Sequence, residues 1–197
     1  MSSSVDFLPF DRPSIRQPSC SLMRCDFVLV DVAPAVKLHQ FFSSFPGFYI
    51  HNVPYDGQCA FSSISHQLLI NKYVSSDISG DAVRRDVVNF LRSNDSLKST
   101  ISDRLTAQTI DDYITDMALT RTWADENILH VASLFYDVEI HVLRTDDSQP
   151  TRIGSSTRNR SLLLGYVRCA DGEDPTHYVS LVPNIGVLFM FMEPFLC

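Results

Sequence analysis

The hydrophobic period of this chain changes once, near residue 137, from that of helices to that of strands. Before the change, apolar residues recur every three to four positions in four segments. Cys59 to Leu69 carries Ala60, Phe61, Ile64, Leu68 and Leu69 on one stripe. Ser79 to Arg92 carries Val83, Val87, Phe90 and Leu91, with Ser79 placed to cap the helix. A third helix starts near Thr109 with Ile110, Tyr113, Ile114 and Met117, and a fourth follows Trp123 with Ile128, Leu129, Ala132 and Phe135. After the change, Val138 to Leu143 alternates as a strand does, and Ser161 to Val167 and His177 to Val182 are further strand candidates. Residues 145–160 and 169–176 are polar loops between them. A short extended segment, Phe48 to Asn52, and a Pro54-Tyr-Asp-Gly57 turn precede the first helix. Helices first and strands later predict an α+β (mixed α/β) domain, a small central β-sheet flanked by helices.

The 197 residues suit one domain with terminal extensions. Residues 1–25, rich in Ser, Pro and Arg, read as a flexible leader. The domain is expected over 26–183, opening on an apolar run at Asp26 to Val32 and a helix at Pro34 to Phe42. Residues 184–197 form an apolar tail: a last strand on the core, the start of a membrane segment, or an accident of where the chain is cut. A net charge of -7 and a pI near 5.2 argue against nucleic acid as a partner. Five cysteines, without a Cys-x-x-Cys pair, indicate neither a disulfide framework nor a zinc site and favour a reducing compartment, the cytoplasm. No secretory signal opens the chain, no apolar run reaches the length of a bilayer span, and a monomer is expected.

Three segments carry chemistry. In Tyr55-Asp-Gly-Gln-Cys59-Ala-Phe61 a glycine turn delivers a cysteine to the first turn of a helix. Free backbone N–H groups and the positive end of the dipole lie there, and both favour a thiolate. The amides of Gly57, Gln58 and Cys59 could also hold an oxyanion. Alone, the segment reads equally well as a turn before a buried structural cysteine. Thr122 to Ala132 reads alone as an amphipathic helix anchored by Trp123. Thr176-His-Tyr-Val-Ser-Leu-Val182 places a histidine at the start of an apolar strand, and alone reads as a half-exposed loop histidine.

In this order the three segments resemble the ovarian-tumour (OTU) family of cysteine proteases, over roughly Pro34 to Pro183. The specific parts are Asp56-Gly57-Gln58-Cys59 and His177-Tyr178. The resemblance implies a deubiquitinase that acts on ubiquitin, polyubiquitin chains or a related modifier, and needs no metal or organic cofactor. It makes Cys59 the nucleophile, His177 the general base, Gly57 to Cys59 the oxyanion hole, and Asp56 the residue that shapes that loop.

One position departs from the family pattern. Many OTU proteases carry Asn or Asp two residues after the histidine, on the same face of the strand. Here that residue is Val179, which accepts no hydrogen bond. Either another acceptor (Asp56, Asn52 or Asp174) orients His177, or a backbone carbonyl does, or the enzyme is weak or inactive. Alternative functions are a silent ubiquitin-binding module, suggested by Val179, or a protease that releases itself from a polyprotein, suggested by the leader and the apolar tail. His66 lies ~10 Å along the helix from Cys59, too far to serve as base. His130 and His141 read as core-edge residues, and His39 and His51 have no supporting pattern. A zinc site from Cys20, Cys25 and His39 lacks a known spacing. Asp146, Asp147, Asp171, Glu173 and Asp174 would suit a basic substrate tail but read first as solvated loop charge.

Overall fold

The computed structural model describes residues 47–144, 150–167 and 177–184, all within one unit spanning 31–197. The expected leader, the first run and helix, and the apolar tail beyond Asn184 lie outside the described residues. So do Cys20, Cys25, His39, Cys169, Cys197 and the five acidic loop residues.

Strand β1 (Phe48–His51) leads through the turn into helix α1 (Cys59–Ile70). Helices α2 (Gly80–Ser93), α3 (Asp95–Ser102), α4 (Ile110–Met117) and α5 (Glu126–Tyr136) follow. Each of α2 to α5 is started by a side-chain cap, from Ser79, Asn94, Thr109 and Asp125 in turn. Asp137, in left-handed backbone at φ 52°, stops α5 and turns the chain into the sheet. Strands β2 (Glu139–Arg144), β3 (Thr151–Ile153), β4 (Ser161–Val167) and β5 (His177–Pro183) complete it.

The sheet has the order β1-β5-β4-β2-β3; β2 and β4 are parallel and the other pairs antiparallel. The fold is α+β, as the period change requires. Two elements were not expected. Helix α3 has only Leu97 and Ile101 on its buried stripe, too few to announce it, and β3 is three residues within the segment read as a loop. Leu69 and Phe135, placed on apolar stripes, are 37% and 40% exposed at the ends of their helices.

Alternation along the strands sorts two apolar clusters onto the two faces of the sheet. Ile140, Val142, Leu162, Leu164 and Tyr178 join the helices in the main core. Leu143, Val167, Val179 and Leu181 pack together with Phe48, Ile50 and Leu163. Ile64 and Leu68 of α1 are fully buried against the sheet, each stabilising the fold by roughly 1.5–3 kcal/mol. Gln67, also buried, fixes α1 to two strands. Its Nε2 donates to Ser180 Oγ (2.8 Å) and the Leu181 carbonyl (2.7 Å), and its Oε1 accepts from Leu163 N–H (3.0 Å).

Candidate active site

The turn before α1 is built around Gly57, whose φ of +81° is costly for any residue with a Cβ. A Cβ there would also lie 2.8 Å from the Thr120 carbonyl oxygen and 2.9 Å from Arg121 Cα. The turn is thus docked on the backbone that joins α4 to α5. Asp56 is exposed, and its Oδ1 accepts the Gln58 N–H at 2.9 Å. One of the three amides expected to bind an oxyanion is therefore already engaged.

Cys59 is the first residue of α1 and only 1% exposed. Burial pushes its thiol above the ordinary value, and the nearby Asp56 charge adds to the rise. The Tyr178 N–H, donated to Cys59 Sγ at 3.5 Å, opposes it, as do the amides of Ala60 and Cys59 itself. This contact brings the start of β5 to the start of α1, although 119 residues separate them.

His177, the first residue of β5, is buried. Its Nε2 lies 3.0 Å from Asn52 Oδ1, which can only accept, so Nε2 carries the proton of the neutral ring. Nδ1 is buried and, among the described residues, has no hydrogen-bond partner. Burial lowers the His177 pKa to about 4, against the pull of Asp56, so the ring is neutral at physiological pH. At rest the pair is therefore a thiol and a neutral imidazole.

The position of Asn52 follows from strand register. The last pair of β1 with β5 is His51 opposite Ser180, and one further step sets Asn52 opposite Val179. Val179 itself is fully buried in the second cluster. The side chain two residues after the histidine serves the core, and the acceptor stands across from it on the neighbouring strand. Of the other acceptors considered, Asp56 engages Gln58, and Asp174 lies outside the described residues.

Tyr55 packs between the indole of Trp123 and the His177 ring, with centroids at 5.2 and 5.3 Å, and is itself 43% exposed. Trp123, in the segment that leads into α5, thus stands against the ring that packs on His177. Three other described histidines have partners of their own. His66 stacks face to face on His51 at 3.7 Å and shares a hydrogen bond with Ser180 Oγ; His141 Nε2 meets Glu139 Oε2 at 2.6 Å. Among the described residues no group of His, Cys, Asp and Glu could hold a metal, and no helix is long and apolar enough to cross a membrane.

Arg84 was missed by sequence reasoning. It is 2% exposed, and its three nitrogens donate to Gln58 Oε1 and to the carbonyls of Gly57, Met117, Thr120 and Thr122. The guanidinium also lies 4.2 Å above the Phe61 ring. Burial lowers its pKa to about 10, so it stays charged. A signal was available: Arg84, Val88 and Leu91 recur at helical spacing, which puts the arginine on the buried face of α2.

A helix-start cysteine whose sulfur meets the start of a strand opened by a histidine, on a mixed sheet backed by helices, has the parts of a Cys–His thiol hydrolase. Residues 54–178 match the family of OTU-like cysteine proteases, and the chain belongs to that family. It is 30% identical over 159 residues to a protein of Invertebrate iridescent virus 6 named "Putative ubiquitin thioesterase 232R", covering 75% of this chain and 21% of that protein. It is 29% identical over 138 residues to the deubiquitinase OTUD6B of Xenopus laevis, covering 67% of this chain and 45% of that one. The chain thus spans less than half the length of these relatives. A solved OTU domain in complex with ubiquitin shares the fold at a TM-score of 0.51 and 19% identity, over 68% of this chain and 69% of that one.

Proposed function

We propose that this chain hydrolyses the isopeptide or peptide bond after the C-terminal glycine of ubiquitin or a ubiquitin-like modifier, with Cys59 as nucleophile, His177 as base and Asn52 as the residue that orients the base. The observation that carries the reading is the state of His177. Its Nε2–H is donated to Asn52 while Nδ1, buried and without a partner among the described residues, keeps a lone pair one residue from the Tyr178 amide that contacts Cys59 Sγ. Family membership and the names of the relatives support the substrate class.

In the reaction the Cys59 proton passes to His177 Nδ1 as sulfur bonds to the glycine carbonyl carbon. The carbonyl oxygen takes the negative charge and meets the amides of Gly57 and Cys59, since that of Gln58 serves Asp56. The imidazolium, steadied by Asn52, gives its proton to the departing lysine amine, and the C–N bond breaks. Water, deprotonated by the neutral ring, then cleaves the thioester and restores the thiol. Both groups rest uncharged, so charge develops only with substrate in place.

Turnover of ubiquitin carrying a C-terminal fluorogenic amide tests this. Cys59→Ala should lower the rate by about 10⁴-fold or more, and a ubiquitin C-terminal electrophile should label Cys59 alone. A folded wild-type protein that binds ubiquitin yet neither turns over the amide nor labels would instead establish the silent binding module. That second reading is favoured by one observation: among the described residues no hydrogen bond joins Nδ1 to Cys59 or to any other group.

A further inference from the structure

The peptide between Gly57 and Gln58 is held at both ends. Its N–H is donated to Asp56 Oδ1 at 2.9 Å, and its carbonyl accepts from Arg84 Nη2 at 2.7 Å. A peptide is planar, so fixing its two polar ends fixes its rotation about the chain. The next amide is that of Cys59 and the preceding one that of Gly57, the two left to meet an oxyanion. Gly57, at positive φ, is the residue in this turn with the least steric resistance to rotation of that plane. Something must prevent it.

We propose that Arg84 is a positioning residue for the reaction: it locks the Gly57–Gln58 peptide plane, and so keeps the flanking amides aimed at the developing oxyanion. This rests on the hydrolase reading above. The guanidinium suits the task by its shape. From one rigid fork it binds the Gly57 carbonyl on the nucleophile turn and the Met117, Thr120 and Thr122 carbonyls on the α4–α5 connection. The two segments that meet at Gly57 are thereby joined through one buried cation. Its Nε–H is donated to Gln58 Oε1 at 2.6 Å, and Gln58 Nε2 in turn donates to Asp81 at the start of α2. The plane is therefore tied to α2 by two routes, through the Gly57 carbonyl and through the Gln58 side chain. Lysine cannot replace this arrangement, because its ammonium is a single point with no fixed fork.

Arg84→Lys separates positioning from bulk structure. Alkylation of Cys59 by iodoacetamide passes through no oxyanion, whereas hydrolysis of the ubiquitin amide does. The variant should lower kcat about tenfold at nearly constant KM, a misaimed donor costing less than a deleted one. Alkylation of Cys59, followed by peptide mass spectrometry, should stay within about twofold, since it tracks thiolate and access. Exchange of the Gln58 amide, followed by NMR, should quicken by about tenfold while amides of β4 keep their wild-type rates. Hydrolysis and alkylation falling together would overturn the proposal, as would unchanged exchange at Gln58. If Arg84→Lys does not fold, Asp81→Ala loosens the same chain from its exposed end, with the same signature at smaller size expected and the same two contrary results. A wild-type protein without hydrolytic activity would remove the hydrolase reading, and Gln58 exchange alone would then decide whether Arg84 fixes the plane.

Discussion

Cys59 and His177 arrive by different routes and are held by different means. Cys59 stands at the end of a turn whose polar groups are bound on several sides, by Asp56, Arg84 and, through Gln58, Asp81. His177 opens a strand and is steadied by one hydrogen bond to Asn52 and by the ring of Tyr55. One side is a network in which several bonds support each other; among the described residues the other has one hydrogen bond and one ring contact. The network side should therefore resist small changes until its backbone geometry fails. The sparsely supported side should respond in proportion to each change.

The largest test of this contrast is His177→Ala, which should lower kcat by about 10³-fold, the usual contribution of a general base. A loss no greater than that of Asn52→Ala would place the base elsewhere. Next is Gly57→Ala, which strikes the network through its backbone. With φ at +81° and a Cβ 2.8 Å from the Thr120 oxygen, the turn must move. Activity should fall about a hundredfold, with a loss of about 1–3 kcal/mol in a denaturant melt. Full activity would show that the network absorbs backbone change as well. Asn52→Ala should cost about tenfold, the worth of roughly 1.4 kcal/mol from one hydrogen bond. Asn52→Asp should keep the contact and move the acid limb of the rate profile to higher pH, because a negative neighbour favours imidazolium.

The smallest effect is on stability. Burial holds both His177 and His66 at about 4 in the fold, from an ordinary 6.5. Between these values the unfolded chain binds more protons than the folded one, so stability rises with pH across that window. It should be fully present above about 6.5 and decline as pH falls toward about 4. Thermal melts at steps through this range should show the decline, and it should be shallower in His177→Gln. A flat profile would mean that neither ring is buried in neutral form.

The Cys59 side was largely legible because its cues are local. A glycine turn and a helical stripe both lie within about a dozen residues. The His177 strand was legible too, but its partner was not settled among Asn52, Asp56 and Asp174. That partner depends on which strand lies beside β5 and in what register, and periodicity does not report strand neighbours. Arg84 escaped for a related reason: four of its five acceptors are backbone carbonyls, up to 38 residues away, and backbone groups leave no mark in side-chain pattern. Helix α3 and strand β3 were too short for a period to show.

Gln67 has a consequence for which changes in chain length the site can absorb. It sits eight residues after Cys59 on α1, about 12 Å along a helix. Its acceptors, Ser180 and Leu181, lie two and three residues past Tyr178 on β5, about 7–10 Å along a strand. Helix and strand are thus two rulers of similar length, pinned together at both ends, by Tyr178 on Cys59 and by Gln67 on Ser180 and Leu181. One residue inserted into either ruler breaks the match and separates sulfur from imidazole. Residues inserted between β2 and β4, outside both, leave the spacing as it is. The connection from β2 to β4 can therefore change in length while these two spans keep a constant count.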